Sequence, residues 1–244
     1  MRHWLPFILA AVVLSSCATA QPYQAEAAQP TLTEIYNRAI YEAAVYEREN
    51  VRELRPLVPD ANGEVLLASF TTRDVPAGTL LTAFQPGMWV TGVPEVREKC
   101  RQFTGDVHLQ INQLLGLPAE TRTPHVLVLR ADIDDLFRPA PDASTSSSYP
   151  CPRLHDAPIP DNCGNVFPAT TTREHLEWMA HSTFFLHQLP QGYPWTHLGY
   201  TYNWTPGADR YGASEYILRG GAIALVVENT TPEDYCRPPA VSGE

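Results

Sequence analysis

The sequence predicts an α+β domain with a mostly antiparallel sheet, flanking helices and disulfide staples. Three observations point there. Helical and strand-like stretches come in groups, whereas a parallel sheet needs them to alternate. Short apolar or β-branched segments follow one another at 64–71, 79–84 and 88–91, and three more close the chain at about 197–203, 213–219 and 221–227. Four cysteines fall in the body of the chain, an even number that suits two bridges if the protein is exported.

Export is written into the first residues, MRHWLPFILAAVVLSSC. Arg2 and the terminal amine are positive, an apolar run follows from Leu5 to Leu14, and small residues end it. Residues 1–16 therefore read as a secretory leader. The run is shorter than the about 20 apolar residues a membrane span needs. Leu14-Ser15-Ser16-Cys17 resembles the lipobox of bacterial lipoproteins. The resemblance implies cleavage before Cys17 and a membrane anchor of acyl chains, palmitate among them, on that residue. Ala18, in place of Asp, implies an outer-membrane destination facing the periplasm or the exterior. The alternative is cleavage after Ala18-Thr19-Ala20, giving a soluble periplasmic or secreted protein. Residues 17–30 are small, polar and proline-bearing, as in a flexible tether. A single domain is expected over 31–236, with a disordered tail at 237–244.

Each element has a local reason. Thr31 and Glu34 form a capping box ahead of an apolar stripe at Leu32, Ile35, Tyr36, Ala39, Ile40, Ala43 and Tyr46, so a helix is expected over about 32–54. Two prolines and Asn62-Gly63 end that stretch before the first strands. Pro94 opens a second helix with apolar residues recurring at three or four from Val96 to Leu115. Gly105 is a point where it can break, and Gly116 stops it. "HVLVLRA" reads as a buried strand, and Asp132 caps the turn after it. Residues 138–170 form a long Pro- and Ser-rich loop. A third helix follows, with Leu176, Met179, Ala180, Thr183, Phe184 and His187 on one face. Gly220-Gly221 suits a tight hairpin between the last two strands.

The four cysteines Cys100, Cys151, Cys163 and Cys236 allow three pairings. Cys151–Cys163 is favoured because it closes a loop with little else to order it, which leaves Cys100–Cys236. A zinc site is the rival reading, but no C-x₂-C pair is present. The formal charge of −10, with no basic run, argues against nucleic-acid binding. It equally argues against electrostatic attraction to anionic lipid, so membrane contact rests on Cys17.

Candidate chemistry is sparse. His175, His181 and His187 are six residues apart and do not share a helical face. Asp132, Asp134 and Asp135 lack the glycine and distal Glu of a calcium loop. No metal and no cofactor is therefore expected. Phosphate loops, dinucleotide loops and G-x-S-x-G are absent from the sequence. The remaining constellation is "GYPWTHLGYTYNW" at 192–204. Read as a strand, it sets His197, Gly199, Thr201 and Asn203 on one face and Leu198, Tyr200, Tyr202 and Trp204 on the other. Glu215 shares a side with Ala213 and Ile217 on the next strand. If the two strands pair, Glu215 comes near His197 or Thr201, a carboxylate beside an imidazole suited to acid–base work.

The pieces "ASF", "MWVT", "VPEV…C", "LLGLP", "DLFRPAPD", "GYPWT-LGYTY-W", "G-SEY" and a late "YC" together resemble an uncharacterised family of bacterial secreted proteins and lipoproteins. They span residues 68–236, and the resemblance implies no particular activity. In that pattern a Cys follows "FRP", an Arg stands at 197 and an Asp at 203. This chain has Ala140, His197 and Asn203 there. The first departure implies a moved disulfide, and the others imply that His197 and Asn203 are not required residues. "SEY" entering an apolar strand before "GGA" is similar to the glutamate strand of ADP-ribosyltransferase toxins, which implies a role for Glu215 in orienting a ribose. No convincing partner Arg/His strand and no clean Ser-Thr-Ser strand of that family accompanies it, so the resemblance rests on Glu215 alone.

Two functions follow. The first is a non-enzymatic, lipid-anchored envelope protein that binds a protein or glycan partner through Trp195, Tyr193 and Tyr200. The second is a transferase or hydrolase that uses Glu215 with His197 and Thr201. Burial of the Tyr/Trp face would leave Glu215 and its face as the candidate site.

Overall fold

The capping box forms as read. In the computed structural model, which describes residues 29–45, 47–148 and 171–238, Thr31 Oγ1 accepts the Glu34 N–H at 3.2 Å, and the Glu34 carboxylate accepts the Thr31 N–H at 2.7 Å. The leader, Cys17, Tyr46 and the Cys151–Cys163 loop lie outside the described residues. Helix α1 (Leu32–Ala44) buries Tyr36, Ala39, Ile40 and Ala43 against Tyr202 and Trp204. It stops well short of residue 54. After a single 3₁₀ turn at Arg48–Asn50, the Leu54 N–H donates to the Ser148 carbonyl and the Leu57 N–H to Thr145. Leu54 packs on Leu198 and Tyr200. Pairing with a distant loop, and not helical spacing, sets this stretch.

Eight antiparallel strands build the sheet: β1 (Glu64–Thr71), β2 (Leu80–Thr82), β3 (Gly87–Gly92), β4 (His125–Asp132), β5 (Leu136–Phe137), β6 (Tyr200–Tyr202), β7 (Tyr211–Arg219) and β8 (Ile223–Thr230). The path runs β2-β8-β4-β1-β3-β7-β5, and β6 also pairs with β7. The fold class read from the sequence is therefore the fold observed.

The hairpin expected at Gly220-Gly221 is not formed. Three strands stand between β7 and β8 in the sheet. Neighbouring strands are about 4.8 Å apart, so a flat sheet would separate the two by about 19 Å. The four steps from Arg219 to Ile223 span at most about 14 Å. The sheet must curl, and the β2–β3 and β7–β8 connections meet. The Ala83 N–H donates to Ala222 at 2.8 Å, and the Gly221 N–H donates to Ala83 at 2.9 Å.

Curling gives the sheet an inner and an outer face. Leu67, Leu129, Tyr216, Leu218 and Val226 pack inside it. The outer face, with Ala68, Val126, Val128 and Ala213, is covered by helices α2 (Val93–Cys100), α3 (Val107–Leu115) and α5 (Pro232–Cys236). The expected second helix is thus two. The Asp106 side chain accepts the Leu109 N–H and restarts the chain after Gly105. Helix α4 (Arg173–Leu186) also departs from expectation. It buries His175 and Met179, while Leu176 and Phe184 are exposed. The cause is ring packing: Trp178 sits edge-on to Phe137, 4.9 Å between centroids, with His175 stacked at 6.0 Å. No helix among the described residues is long and apolar enough to cross a membrane.

Cys100 and Cys236 end α2 and α5 with their sulfurs at bonding distance and Cα atoms 5.1 Å apart. The bridge spans 136 residues of sequence, so it removes much freedom from the unfolded chain. Replacing both cysteines by Ala should lower stability by about 3–5 kcal/mol in urea unfolding. A loss under about 1 kcal/mol would mean that packing between α2 and α5 holds without the staple.

Candidate functional site: a cavity on the outer face of the sheet

The register of β3 and β7 places Thr91 directly opposite Glu215. Val90 and Tyr216 point into the inner core, so Trp89, Thr91 and Glu215 emerge on the outer face. Ala68, opposite Thr91 across the β1–β3 pair, lies on that face too. These side chains, with Phe70 and Thr201, form the floor of a cavity of about 310 Å³. Leu115, Gly116 and Leu117 make one wall, and Leu186, Tyr193, Pro194 and Trp195 make the other.

Local structure explains the walls. Gly116 ends α3 in the left-handed conformation, φ 68°, and a Cβ there would lie 3.2 Å from Pro194 and 3.3 Å from the Tyr202 carbonyl. Tyr36 of α1 then ties the two walls together, because its hydroxyl lies 3.3 Å from the Gly116 carbonyl and 3.1 Å from that of Gly192. Behind Glu215, β7 is held to α2 by Glu95, which accepts from the Ser214 N–H at 2.9 Å and the Tyr211 hydroxyl at 2.5 Å.

The polar atoms in this cavity set it apart. Glu215 is only 5% exposed, and its Oε1 has no hydrogen-bond partner among the described residues. The same holds for Thr91 Oγ1 and for the indole Nε1 of Trp195. Buried polar groups are normally paired, and each unpaired one carries a desolvation cost. Three such groups, among the described residues, line this one cavity. Burial pushes the Glu215 acid up to about 8, with the charge of Arg138 and the indole N–H of Trp195 pulling the other way.

Arg138, which the sequence did not single out, stands behind this wall. It is 0% exposed. Its guanidinium donates to the carbonyls of Ser144, Thr145, Ser147 and Gly199 and to the Tyr216 hydroxyl. Gly199 permits this approach, since a Cβ there would lie 2.6 Å from Arg138 Cδ. No carboxylate stands within ion-pair distance of the guanidinium among the described residues.

The predicted site residues divide. Strand β6 covers only Tyr200–Tyr202, because His197 and Gly199 have positive φ, 60° and 75°, and break the extended run expected over 197–203. His197 therefore leaves the face of Thr201. It packs behind Trp195, 4.0 Å between ring centroids, and 4.9 Å from the ring of His187, with Nε2 3.4 Å from Thr183 Oγ1. Burial, with His187 beside it, lowers its pKa to about 3, so it is neutral at pH 7. Thr201 lines the cavity, but its hydroxyl donates to the Leu114 carbonyl at 2.7 Å and accepts the Ala213 N–H at 2.9 Å. The imidazole–carboxylate pair expected with Glu215 is not assembled.

The three residues expected at a binding surface also separate. Tyr200 is 2% exposed, and its hydroxyl donates to the Asn50 carbonyl at 2.7 Å. Trp195, at 3%, faces the cavity, and Tyr193, at 43%, stands where the cavity meets solvent. Tyr202 and Trp204 are core, so the whole Tyr/Trp face is buried. Thr91, Trp89 and Phe70 were missed, although "MWVT" alternation does set Trp89 and Thr91 on one side. Among the described residues, no group of three or more His, Cys, Asp and Glu side chains is placed to hold a metal ion. Comparison with known proteins finds no matching family model, no similar curated protein and no similar solved structure, so the chemistry of the site rests on its geometry.

Proposed function

We propose that this chain is an exported envelope protein that binds a small, largely apolar molecule in the cavity over Glu215. One observation carries the reading: Glu215 Oε1, Thr91 Oγ1 and Trp195 Nε1 are buried around one cavity without hydrogen-bond partners among the described residues. A volume of about 310 Å³ suits a compact ligand at the small end of ordinary pockets. Binding is favoured over catalysis because the groups expected to work with Glu215 are engaged elsewhere, Thr201 by two hydrogen bonds and His197 behind Trp195. The LSSC sequence supports display at the membrane through lipid on Cys17, for which acyl labelling lost in Cys17→Ala is the check.

The test of binding fills the cavity. Ligand-observed NMR with a fragment set should find binders to the full chain. Ala68→Leu on the floor, or Leu186→Trp on the wall, should weaken them at least about tenfold while the melting temperature stays near that of the wild type. Equal binding by both folded variants would move the site away from this cavity.

A further inference from the structure

We infer that the molecule this cavity takes is a small organic ammonium ion, held by the Glu215 carboxylate and Thr91 hydroxyl and flanked by aromatic rings. The inference rests on the binding role proposed above and names its ligand class. Glu215 Oε1 and Thr91 Oγ1 are both able to accept, both are buried, and they stand opposite each other across β3 and β7. A group with two N–H donors would satisfy both at once. Around them stand Phe70, Trp89, Tyr193 and Trp195. Aromatic faces attract a cation, most strongly where water is excluded. Trp89 and Trp195 meet edge to face, 6.2 Å between centroids and 83° between planes, so they present a corner and not a flat wall.

The charge arrangement fits the same class. Among the described residues, Arg138 is the cation that acts on Glu215, and its donors are committed to carbonyls and to Tyr216. The other titratable groups facing this region are Tyr193 on the wall, Tyr200 of β6, and His187 and His197 behind Trp195. His197 is neutral at pH 7, so it does not compete with a ligand cation. An ammonium ion would favour the ionised carboxylate, so binding at pH 7 must release the proton that burial keeps on Glu215. Affinity should then rise about tenfold per pH unit up to about 8.

Benzylamine, benzyl alcohol and benzoate test this as matched probes, cationic, neutral and anionic, in titration calorimetry on the full chain. Benzylamine should bind at least about tenfold more tightly than either other probe. Its apparent enthalpy at pH 7 should change with the ionisation enthalpy of the buffer, reporting the released proton. Glu215→Gln should weaken benzylamine at least about tenfold, lose the buffer dependence and weaken benzyl alcohol far less. Thr91→Val, a near-isosteric change, should weaken benzylamine about threefold to tenfold, which keeps the test open if the Gln variant fails to fold. A soluble short-chain phosphatidylethanolamine separates sources: binding of benzylamine alone assigns a free amine, and binding of both assigns a lipid headgroup. Benzyl alcohol or benzoate binding as tightly as benzylamine, blocked by Leu186→Trp, would overturn the ammonium inference and leave the binding role standing. No binding by any probe or fragment would overturn both.

Discussion

Glu215→Gln should leave stability nearly unchanged at pH 4 and raise it by several kcal/mol at pH 8.5. The glutamate titrates at 4.5 when unfolded and at about 8 when folded. Below 4.5 both states hold the proton, and this group adds no pH dependence. Between the two values the unfolded chain releases its proton while the folded chain keeps it. Stability therefore falls as pH rises, by about 1.4 kcal/mol per unit, and the fall ends once pH passes about 8. The total is on the order of 4–5 kcal/mol. Gln fills the same space and never ionises, so the variant escapes this loss. Burial is the cause: water would stabilise the carboxylate, whereas Ala68, Phe70 and Leu117 around it do not. Other groups near the site, Arg138, Tyr200 and His197, are common to both proteins and cancel in the difference. Urea unfolding at pH 4, 6 and 8.5 measures it. Parallel stability curves for the two proteins would show that Glu215 is solvated, and the cavity reading would lose its main support.

Arg138→Met should be the most damaging single substitution at this end of the sheet, at about 3–5 kcal/mol. The guanidinium supplies five hydrogen bonds with no exposure to solvent. It binds the 144–147 segment, the turn before β6 and the ring of Tyr216, whose centroid lies 4.7 Å from the guanidinium carbon. Methionine fills much of the volume but takes the arginine donor from the Ser144 carbonyl and leaves the Thr145 and Gly199 carbonyls with only the Leu57 and Glu215 N–H groups. Loss of the positive charge also removes the main influence that lowers the Glu215 acid, so its titration should move upward. Arg138→Lys separates the two roles. It keeps the charge and loses the fork, so stability should fall while Glu215 titrates near its wild-type value. Carboxyl chemical shifts of Glu215 followed against pH distinguish the cases. An unchanged titration in Arg138→Met would detach the arginine from the site.

Local features were legible in the sequence where a few neighbouring residues decide them. The Thr31–Glu34 box, the Asp132 cap and the Gly116 stop need only the residues beside them. The cysteine pair Cys100–Cys236 came by elimination, from the preference for closing the 151–163 loop. Residues 197–203 show where this fails. Alternation set Tyr200, Tyr202 and Trp204 on one face, which is buried, but nothing local announces that His197 takes a positive φ. That one backbone turn removes the imidazole from the face of Thr201 and sends it behind Trp195.

The α+β class and the antiparallel pairing were thus determined by sequence, because periodicity and capping are short-range properties. Tertiary structure alone decided the site. Glu215 and Thr91 are far apart in the chain and meet because β3 and β7 pair in one register. The same pairing puts three strands between β7 and β8, curls the sheet and cancels the Gly220-Gly221 hairpin. A shift of one residue in that register would turn Glu215 into the inner core and close the question of a cavity.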